Sequence, residues 1–148
     1  MTNPAVAVQP AVARLQLRAK NIMQQPVTAA TPRASLRDIA TQIIDRGFSG
    51  MPVTESDGKV LGVITEADIV YSLIDGHRLE NVAAAHFMTS PPVTVDVETS
   101  LEEVMRTLQE HRIVRVPVTE QGKLVGIISR RDVIRAVLEL EFIEFGDM

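Results

Sequence analysis

Cysteine and tryptophan are absent from the 148-residue chain, and aromatic residues make up only 3% of it. Without a thiol, the chain can form no disulfide, no thiolate metal site and no cysteine nucleophile. Its core must therefore be built from aliphatic side chains and methionine. That composition favours thin layers of helix and sheet over a large aromatic-lined substrate cavity.

Positive charge is also in short supply, because the net charge is −4 at pH 7. Proteins that bind nucleic acid through the phosphate backbone need a broad excess of lysine and arginine, so no nucleic-acid partner is expected. No stretch approaches the roughly 20 apolar residues that a membrane-spanning helix needs, and no membrane partner is expected either. Residues 1–20 do not resemble a secretory signal. Residues 1–14 are predicted to be a disordered tail in preference to an organelle transit peptide, the alternative that the lack of acidic residues before Asp38 suggests. A cytoplasmic location fits the missing cysteines.

Recognisable catalytic motifs are missing as well. No G-x-S-x-G, P-loop or G-x-G-x-x-G sequence occurs, and no pairing of a nucleophile with a base is visible. The three histidines, His77, His86 and His111, are scattered without a metal-binding spacing. The chain is therefore predicted not to be an enzyme and not to contain a metal site.

What the chain does have is an internal repeat. Four blocks recur in the same order at an offset of about 65 residues. The pairs are Met23-Gln-Gln-Pro26 with Met88-Thr-Ser-Pro91, Ser35-Leu-Arg-Asp38 with Ser100-Leu-Glu-Glu103, Met51-Pro-Val-Thr-Glu55 with Val116-Pro-Val-Thr-Glu120, and Gly62-Val-Ile-Thr-Glu-Ala-Asp68 with Gly126-Ile-Ile-Ser-Arg-Arg-Asp132. The repeat predicts two copies of one structural unit.

Each copy is predicted to fold as a short strand, a helix, two strands and a second helix. In the first copy, Ser35 caps a helix that ends at Gly47. Its predicted apolar face consists of Leu36, Ile39, Ala40, Ile43 and Ile44. Asp57-Gly58 then supplies the positive backbone angles of a hairpin turn. In the second copy, Ser100 caps the equivalent helix.

These units predict an α/β (α+β) fold with residues 1–14 as a tail, 15–80 as the first repeat and 81–148 as the second. One unit of this size has a half-covered sheet and is marginal alone. We therefore expect the two repeats to form one compact domain with approximate twofold symmetry, joined by the connector Leu73 to Asn81.

A Gly-hydrophobic-hydrophobic-Thr/Ser-x-x-Asp motif ends the second hairpin strand of each copy. Thr65 and Ser129 stand where strand becomes helix, where free backbone N–H groups and the helix dipole can hold a phosphate. Asp68 and Asp132 follow one turn later and could accept hydrogen bonds from a ribose diol. The alternative is a capping box, in which both side chains only satisfy the helix end. On the pattern alone this alternative stays open.

In this duplicated order the motifs resemble a tandem pair of CBS domains, a Bateman module, from about Ala19 to Leu140. The resemblance implies that the chain binds an adenosine-containing regulatory ligand, namely AMP, ADP, ATP or S-adenosylmethionine, in clefts between the repeats. It implies no further cofactor. It also implies a homodimer, and a regulatory role requires an effector protein, which the sequence does not identify. The alternative function is a ligand-free dimerisation or interaction module.

The resemblance also implies ligand-binding positions in each repeat. Asp68 and Asp132 match the ribose-binding aspartate, and Thr65 and Ser129 match the hydroxyl on the phosphate side. The positions around the base are Val27, Thr28, Phe48, Ser49, Met51 and Pro52 in the first repeat and Val93, Thr94, Val114, Val116 and Pro117 in the second, with Val27-Thr28 and Val93-Thr94 on the first strands. Arg112 is a further ligand-binding candidate in the second repeat because of its charge.

The two pockets are not expected to be equal. Ser129 is followed by Arg130 and Arg131, whereas Thr65 is followed by Glu66 and Ala67. Guanidinium groups beside a helix N-terminus favour phosphate, and a carboxylate opposes it. We therefore expect the Ser129–Asp132 pocket to bind phosphorylated ligand more tightly. The alternative is that both arginines lie on a solvated helix face.

Overall fold

The computed structural model describes residues 16–145 of the chain, with side chains up to Leu140. The predicted tail, residues 1–14, lies outside the described residues. The elements in chain order are α1 (Ala19–Ile22), α2 (Leu36–Arg46), β1 (Gly50–Thr54), β2 (Val60–Thr65), α3 (Glu66–Ile74), a 3-10 turn (Leu79–Asn81), α4 (Ala84–Phe87), β3 (Val95–Asp96), α5 (Leu101–Glu110), β4 (Arg115–Glu120), β5 (Lys123–Ser129) and α6 (Arg130–Phe145). Helices and strands alternate as the repeat predicts, which confirms the α/β class.

Helix α2 starts and ends where the sequence predicts. The Ser35 hydroxyl accepts a hydrogen bond from the Asp38 N–H at 3.1 Å, and α2 ends at Gly47 with φ of 71°. Leu36 and Ile43 are buried. Ile44 is wrong as a member of this face, because its side chain is 77% exposed. At 100° per residue it points about 80° away from Leu36, past the edge of the buried stripe.

The hairpins differ in the partner of their first strand. β1 and β2 form an antiparallel pair, and the first repeat's leading strand is reduced to a single parallel bridge between Ala30 and Val53. In the second repeat, β3 is a true strand and pairs in parallel with β4 at Val95↔Val118, in a sheet of order β3-β4-β5. Both copies thus use the same parallel register.

The two segments predicted on the first strands precede the residues that pair in the structure, so this prediction is wrong. Val27-Thr28 and Val93-Thr94 precede the strand positions, because pairing starts only at Ala30 and at Val95. Pro26 and Pro92 stand directly before them and donate no backbone hydrogen bond to a ladder.

Two compact units emerge, and they exchange their leading segments relative to the sequence repeat. The first unit contains the residues up to Pro26, Thr94–Gln121 and the residues from Val125 on. The second contains Val27–Val93 together with Gly122–Leu124. The strand-to-helix motif of each repeat therefore lies in one unit with the Met-x-x-Pro segment of the other repeat.

Each unit has its own aliphatic core. In the second unit the fully buried side chains include Leu36, Ile39, Val53 and Ile64, and in the first unit they include Val104, Val116, Val118 and Ile128. Among the described residues, no helix has both the length and the apolar character needed to cross a membrane.

Candidate functional site

The first strand-to-helix junction is a closed capping box. The Asp68 Oδ2 atom accepts hydrogen bonds from the Thr65 N–H at 2.9 Å and from its hydroxyl at 3.0 Å. The Thr65 hydroxyl in turn accepts from the Asp68 N–H at 3.3 Å. Within residues 16–145 the other carboxylate oxygen, Oδ1, forms no hydrogen bond. The box therefore uses one of the two oxygens and leaves one for an external donor.

The second junction has the same box and two more donors. The Asp132 Oδ2 atom accepts from the Ser129 N–H at 2.8 Å and from its hydroxyl at 3.0 Å. The Oδ1 atom accepts from Gln24 Nε2 at 2.9 Å and from an Arg135 guanidinium nitrogen at 3.1 Å. Only 6% of Asp132 is exposed. Both of its oxygens are thus occupied by the protein itself.

These donors determine the protonation of Asp132. Burial alone would raise the pKa of its carboxyl group, but the hydrogen bonds from Ser129 and Gln24 and the charge of Arg135 outweigh burial. The net result is a pKa below the ordinary value for aspartate. The group is therefore a carboxylate, which can only accept hydrogen bonds.

The loop before each hairpin is tied to the start of the following helix. The Ser49 carbonyl accepts from the Glu66 N–H at 3.1 Å, and the Val114 carbonyl accepts from the Arg130 N–H at 3.0 Å. These bonds bring the predicted base-side loop and the predicted phosphate-side hydroxyl together in each unit. They also use backbone amides that were expected to be free for an anion.

Around Thr65 the loop side chains differ in burial. Met51 is 1% exposed and belongs to the core with Pro52, while Phe48 packs partly buried against that core. The Ser49 hydroxyl is buried and has no hydrogen-bond partner within the described chain. A buried hydroxyl without a partner is uncommon, and it lies one residue from the Gly50–Thr65 pair of the hairpin.

The equivalent loop of the first unit is built in the same way. Val116 and Pro117 are buried in β4, and Val114 is 41% exposed. Thr94 is half-buried, while Val93 falls in the other unit.

The Val27-Thr28 segment is held by the helix before β1. The Thr28 hydroxyl accepts a hydrogen bond from the Arg46 guanidinium at 3.0 Å. Val27 and Thr28 are both half-buried. A ligand at this segment would therefore find Arg46 beside it, a cation that the sequence reasoning did not single out.

The arginines of the second repeat do not all meet at Ser129. Arg112 and Arg130, with Val114, line a groove of about 530 Å³ between α5 and α6. Its other lining residues are Met105, Leu108, Gln109, Ile113, Val133 and Ile134. Arg131 is exposed on the first turn of α6. The cation that reaches Asp132 is Arg135 instead.

The strand glycines make room for methionines rather than for a ligand. A Cβ atom on Gly126 would collide with the side chain of Met23. A Cβ atom on Gly62 would lie 2.7 Å from both the Met88 sulfur and the Thr89 carbonyl oxygen. Each glycine is therefore explained by the methionine that plugs against it, and it carries no information about a bound molecule.

Gln24 and Arg135 are the site residues that sequence reasoning missed. The one available signal in the sequence was a difference between the repeats: the positions equivalent to Gln24 and Arg135 hold Thr89 and Tyr71 in the other copy. Within the described residues neither of these two contacts Asp68 through a hydrogen bond. The hydrogen bond between Gln24 and Asp132 forms because the leading segments are exchanged between the repeats.

A family model, the CBS domain, matches residues 19–75 and again residues 83–139. Among curated proteins, hypoxic response protein 1 of Mycobacterium tuberculosis is 27% identical over 128 residues, which is 86% of this chain and 90% of that protein. A homoserine O-acetyltransferase of Methanococcus vannielii is 24% identical over 80% of this chain, and the chain spans only 24% of that enzyme.

Solved structures are similar in fold. The crystal structure of hypoxic response protein, described with two coordinated zinc ions, has a TM-score of 0.75 at 28% identity, covering 80% of this chain and 98% of that one. CBSX2, solved in complex with AMP and known from Arabidopsis thaliana, has a TM-score of 0.74 at 26% identity, covering 84% and 98%. In the described part of this chain, no three metal-ligating side chains cluster.

Proposed function

The chain belongs to the CBS-domain family, and on that premise we propose that it is a regulatory module that binds an adenosine-containing ligand. AMP, ADP, ATP and S-adenosylmethionine are the candidates. Bound ligand would favour one conformation of the module, and an effector protein would respond to the change, provided that the ligand's affinity differs between the conformations. We propose no catalytic activity for the chain itself.

The observation that carries this proposal is the duplicated box at the two strand-to-helix junctions. Asp68 holds its helix end with one oxygen and has the other available for a ribose hydroxyl. The positive end of the α3 dipole beside Thr65 suits a negatively charged 5′ group. The AMP complex of CBSX2, at 26% identity, supports the choice of ligand class.

The pockets should differ in what they read. At Asp132, Arg130 and Arg131 follow the box, so we propose that a phosphate adds more affinity there than at Asp68, where Glu66 follows. The ratio of the affinity for AMP to the affinity for adenosine should therefore be larger at the Asp132 pocket than at the Asp68 pocket.

Titration calorimetry with the four candidate ligands tests the proposal. At a ligand concentration of roughly 100 times its Kd, binding should raise the free energy of unfolding by about 2.7 kcal/mol. Asp68→Ala and Asp132→Ala should each remove one binding event, and Asp38→Ala serves as the control for losing an exposed helix-start carboxylate. Loss of all binding in Asp68→Ala with full binding in Asp132→Ala would refute the assignment of the phosphate-preferring pocket.

A ligand-free dimerisation or interaction module is the second candidate, and exposed apolar side chains are the observation on which it rests. Exposed apolar side chains lie on the second helix of each repeat: Val70, Tyr71, Leu73 and Ile74 on α3, and Ile134 and Leu138 on α6. We propose that these faces pack against a second copy in a homodimer, which is compatible with either function. A protein that dimerises but binds none of the four ligands would be this second candidate.

Location and further partners remain predictions. The cytoplasm suits a chain without cysteine, and the net charge of −4 gives no reason to expect nucleic acid.

A further inference from the structure

We infer that Gln24, together with Arg135, is an internal competitor for the ribose diol at Asp132, and that it makes this pocket weaker for the diol than the pocket at Asp68. The inference deepens the proposed function and rests on it. It assigns a specificity-determining role to a residue outside the duplicated motif, on the opposite sequence repeat from the aspartate that it contacts.

The contact at Asp132 joins an amide donor to a carboxylate acceptor. A carboxylate accepts hydrogen bonds only, so the atom of Gln24 that lies 2.9 Å from Asp132 Oδ1 must be the amide nitrogen. The Arg135 nitrogen shares the same oxygen at 3.1 Å. A ribose hydroxyl that donates to Asp132 would need an oxygen that already has two donors.

Asp68 differs from Asp132 at the Oδ1 atom. Asp68 uses Oδ2 for its cap, as Asp132 does, but within residues 16–145 its Oδ1 has no donor. The reason lies in two substitutions between the repeats. Thr89 takes the place of Gln24 and is too short to reach, and Tyr71 takes the place of Arg135 and brings no cation.

The backbone places Gln24 and Thr89 alike in the two units. The Gln24 N–H donates to the Ile127 carbonyl at 2.8 Å, and the Ile127 N–H donates back at 3.1 Å. Thr89 and Val63 exchange the same two bonds, at 2.9 and 3.2 Å. Because only the side chain differs, Gln24→Thr installs a residue that the fold already accepts at the matching position.

The competing side chains can leave Asp132. Gln24 is exposed, and the Arg135 side chain is 52% exposed, so both can turn into solvent without opening the core. The competition therefore lowers the affinity for the diol without blocking the pocket. The proposed contact of a phosphate with Arg130 and Arg131 does not depend on this oxygen of Asp132.

Adenosine and 2′,3′-dideoxyadenosine are the probes, since they differ only in the diol. Asp68→Ala leaves the Asp132 pocket as the one to measure. In that background Gln24→Thr should tighten adenosine binding by roughly three- to tenfold, the range expected for a net gain of about one hydrogen bond. Affinity for dideoxyadenosine should stay the same. Gln25→Thr, at the neighbouring exposed residue, is the matched control and should change neither affinity.

The reverse exchange tests the other pocket. In an Asp132→Ala background, Thr89→Gln combined with Tyr71→Arg should weaken adenosine binding at Asp68 by a similar factor. A ligand-free measurement accompanies both: in Gln24→Thr, the pKa of the Asp132 carboxyl, followed by carbon NMR, should rise. An unchanged pKa would mean that the contact does not form in solution, which overturns the inference.

The outcomes separate this inference from the proposed function. If neither the wild-type protein nor any variant bound adenosine or any of the four candidate ligands, the proposed function would fail and the inference with it. If both single-pocket proteins bound adenosine, but Gln24→Thr left the affinity at Asp132 unchanged or lower, only the inference would fail.

Discussion

At the scale of single residues, the methionine–glycine pairs decide how tightly the leading segments pack. The Met23 side chain fills the space beside Gly126, and the Met88 side chain does the same beside Gly62. The two pairs differ in one respect, because the Thr89 backbone carbonyl also crowds Gly62. A flexible methionine can move aside, whereas a backbone carbonyl in a strand pair cannot.

This difference predicts two distinct double-mutant cycles. Gly126→Ala should lower the free energy of unfolding by about 1–3 kcal/mol through overpacking, and Met23→Ala should recover part of that loss. Met88→Ala should recover little of the loss from Gly62→Ala, since the carbonyl clash remains. Urea denaturation of the single and double variants measures both couplings. Equal recovery in the two cycles would contradict this account of the glycines.

Asp132 also predicts a pH dependence. Its pKa is depressed in the folded protein, so the stability it contributes is present above the unfolded pKa and is lost as pH falls through the folded pKa. The stability difference between wild type and Asp132→Asn should therefore shrink as the pH drops below about 4, the ordinary pKa of aspartate. Thermal melts from pH 7 to pH 2.5 measure the difference. A constant stability difference over that range would show that the pKa of the Asp132 carboxyl group is not lowered by folding.

At the scale of elements, both first helices end in the same way with different residues. Gly47 after α2 has φ of 71°, and Arg112 after α5 has φ of 53°. The bond that closes each end runs over five residues, from the Phe48 N–H to Ile43 and from the Ile113 N–H to Leu108, both at 3.1 Å. Glycine adopts this left-handed conformation freely, whereas arginine is strained in it.

Substitution of these two residues should change the free energy of unfolding in opposite directions. Arg112→Gly should raise the free energy of unfolding by up to about 1 kcal/mol, and Gly47→Ala should lower it by about 1–2 kcal/mol. No atom lies within 4 Å of a Cβ built on Gly47, so backbone strain alone is measured there. Denaturant melts of the two variants check the signs, and a destabilised Arg112→Gly protein would contradict the strain at α5.

The sequence predicts individual helices and strands, but it does not predict which leading segment joins which unit. The caps at Ser35 and Ser100 are local signals, and the structure confirms them. The first hairpin forms as predicted, but its turn differs, because Gly58 has a positive φ of 94° and Asp57 does not. The exchange of leading segments is a long-range choice that no local pattern encodes. The contact between Gln24 and Asp132 depends on that choice, so it could not be predicted, although both motif aspartates were identified from the repeat alone.

At the scale of the whole molecule, the exposed apolar faces of α3 and α6 predict self-association. Ile134 is 60% exposed, and an aspartate there would place a charge inside the proposed homodimer contact. Sedimentation velocity should find a dimer for wild type and a monomer for Ile134→Asp. Asn81→Asp introduces the same charge at an exposed turn and should leave the dimer intact. A wild-type monomer at tens of micromolar would rule out the homodimer.

The central claim is that the aspartates of the duplicated motif bind a nucleoside sugar in addition to capping a helix, and a crystal structure of the protein grown with AMP tests it most directly. The account predicts that the ribose hydroxyls lie within hydrogen-bond distance of Asp68 Oδ1, and that Gln24 has left Asp132 wherever the second pocket is filled. A structure in which both carboxylates bind only their own helix ends, with no nucleotide beside Thr65 or Ser129, would contradict it.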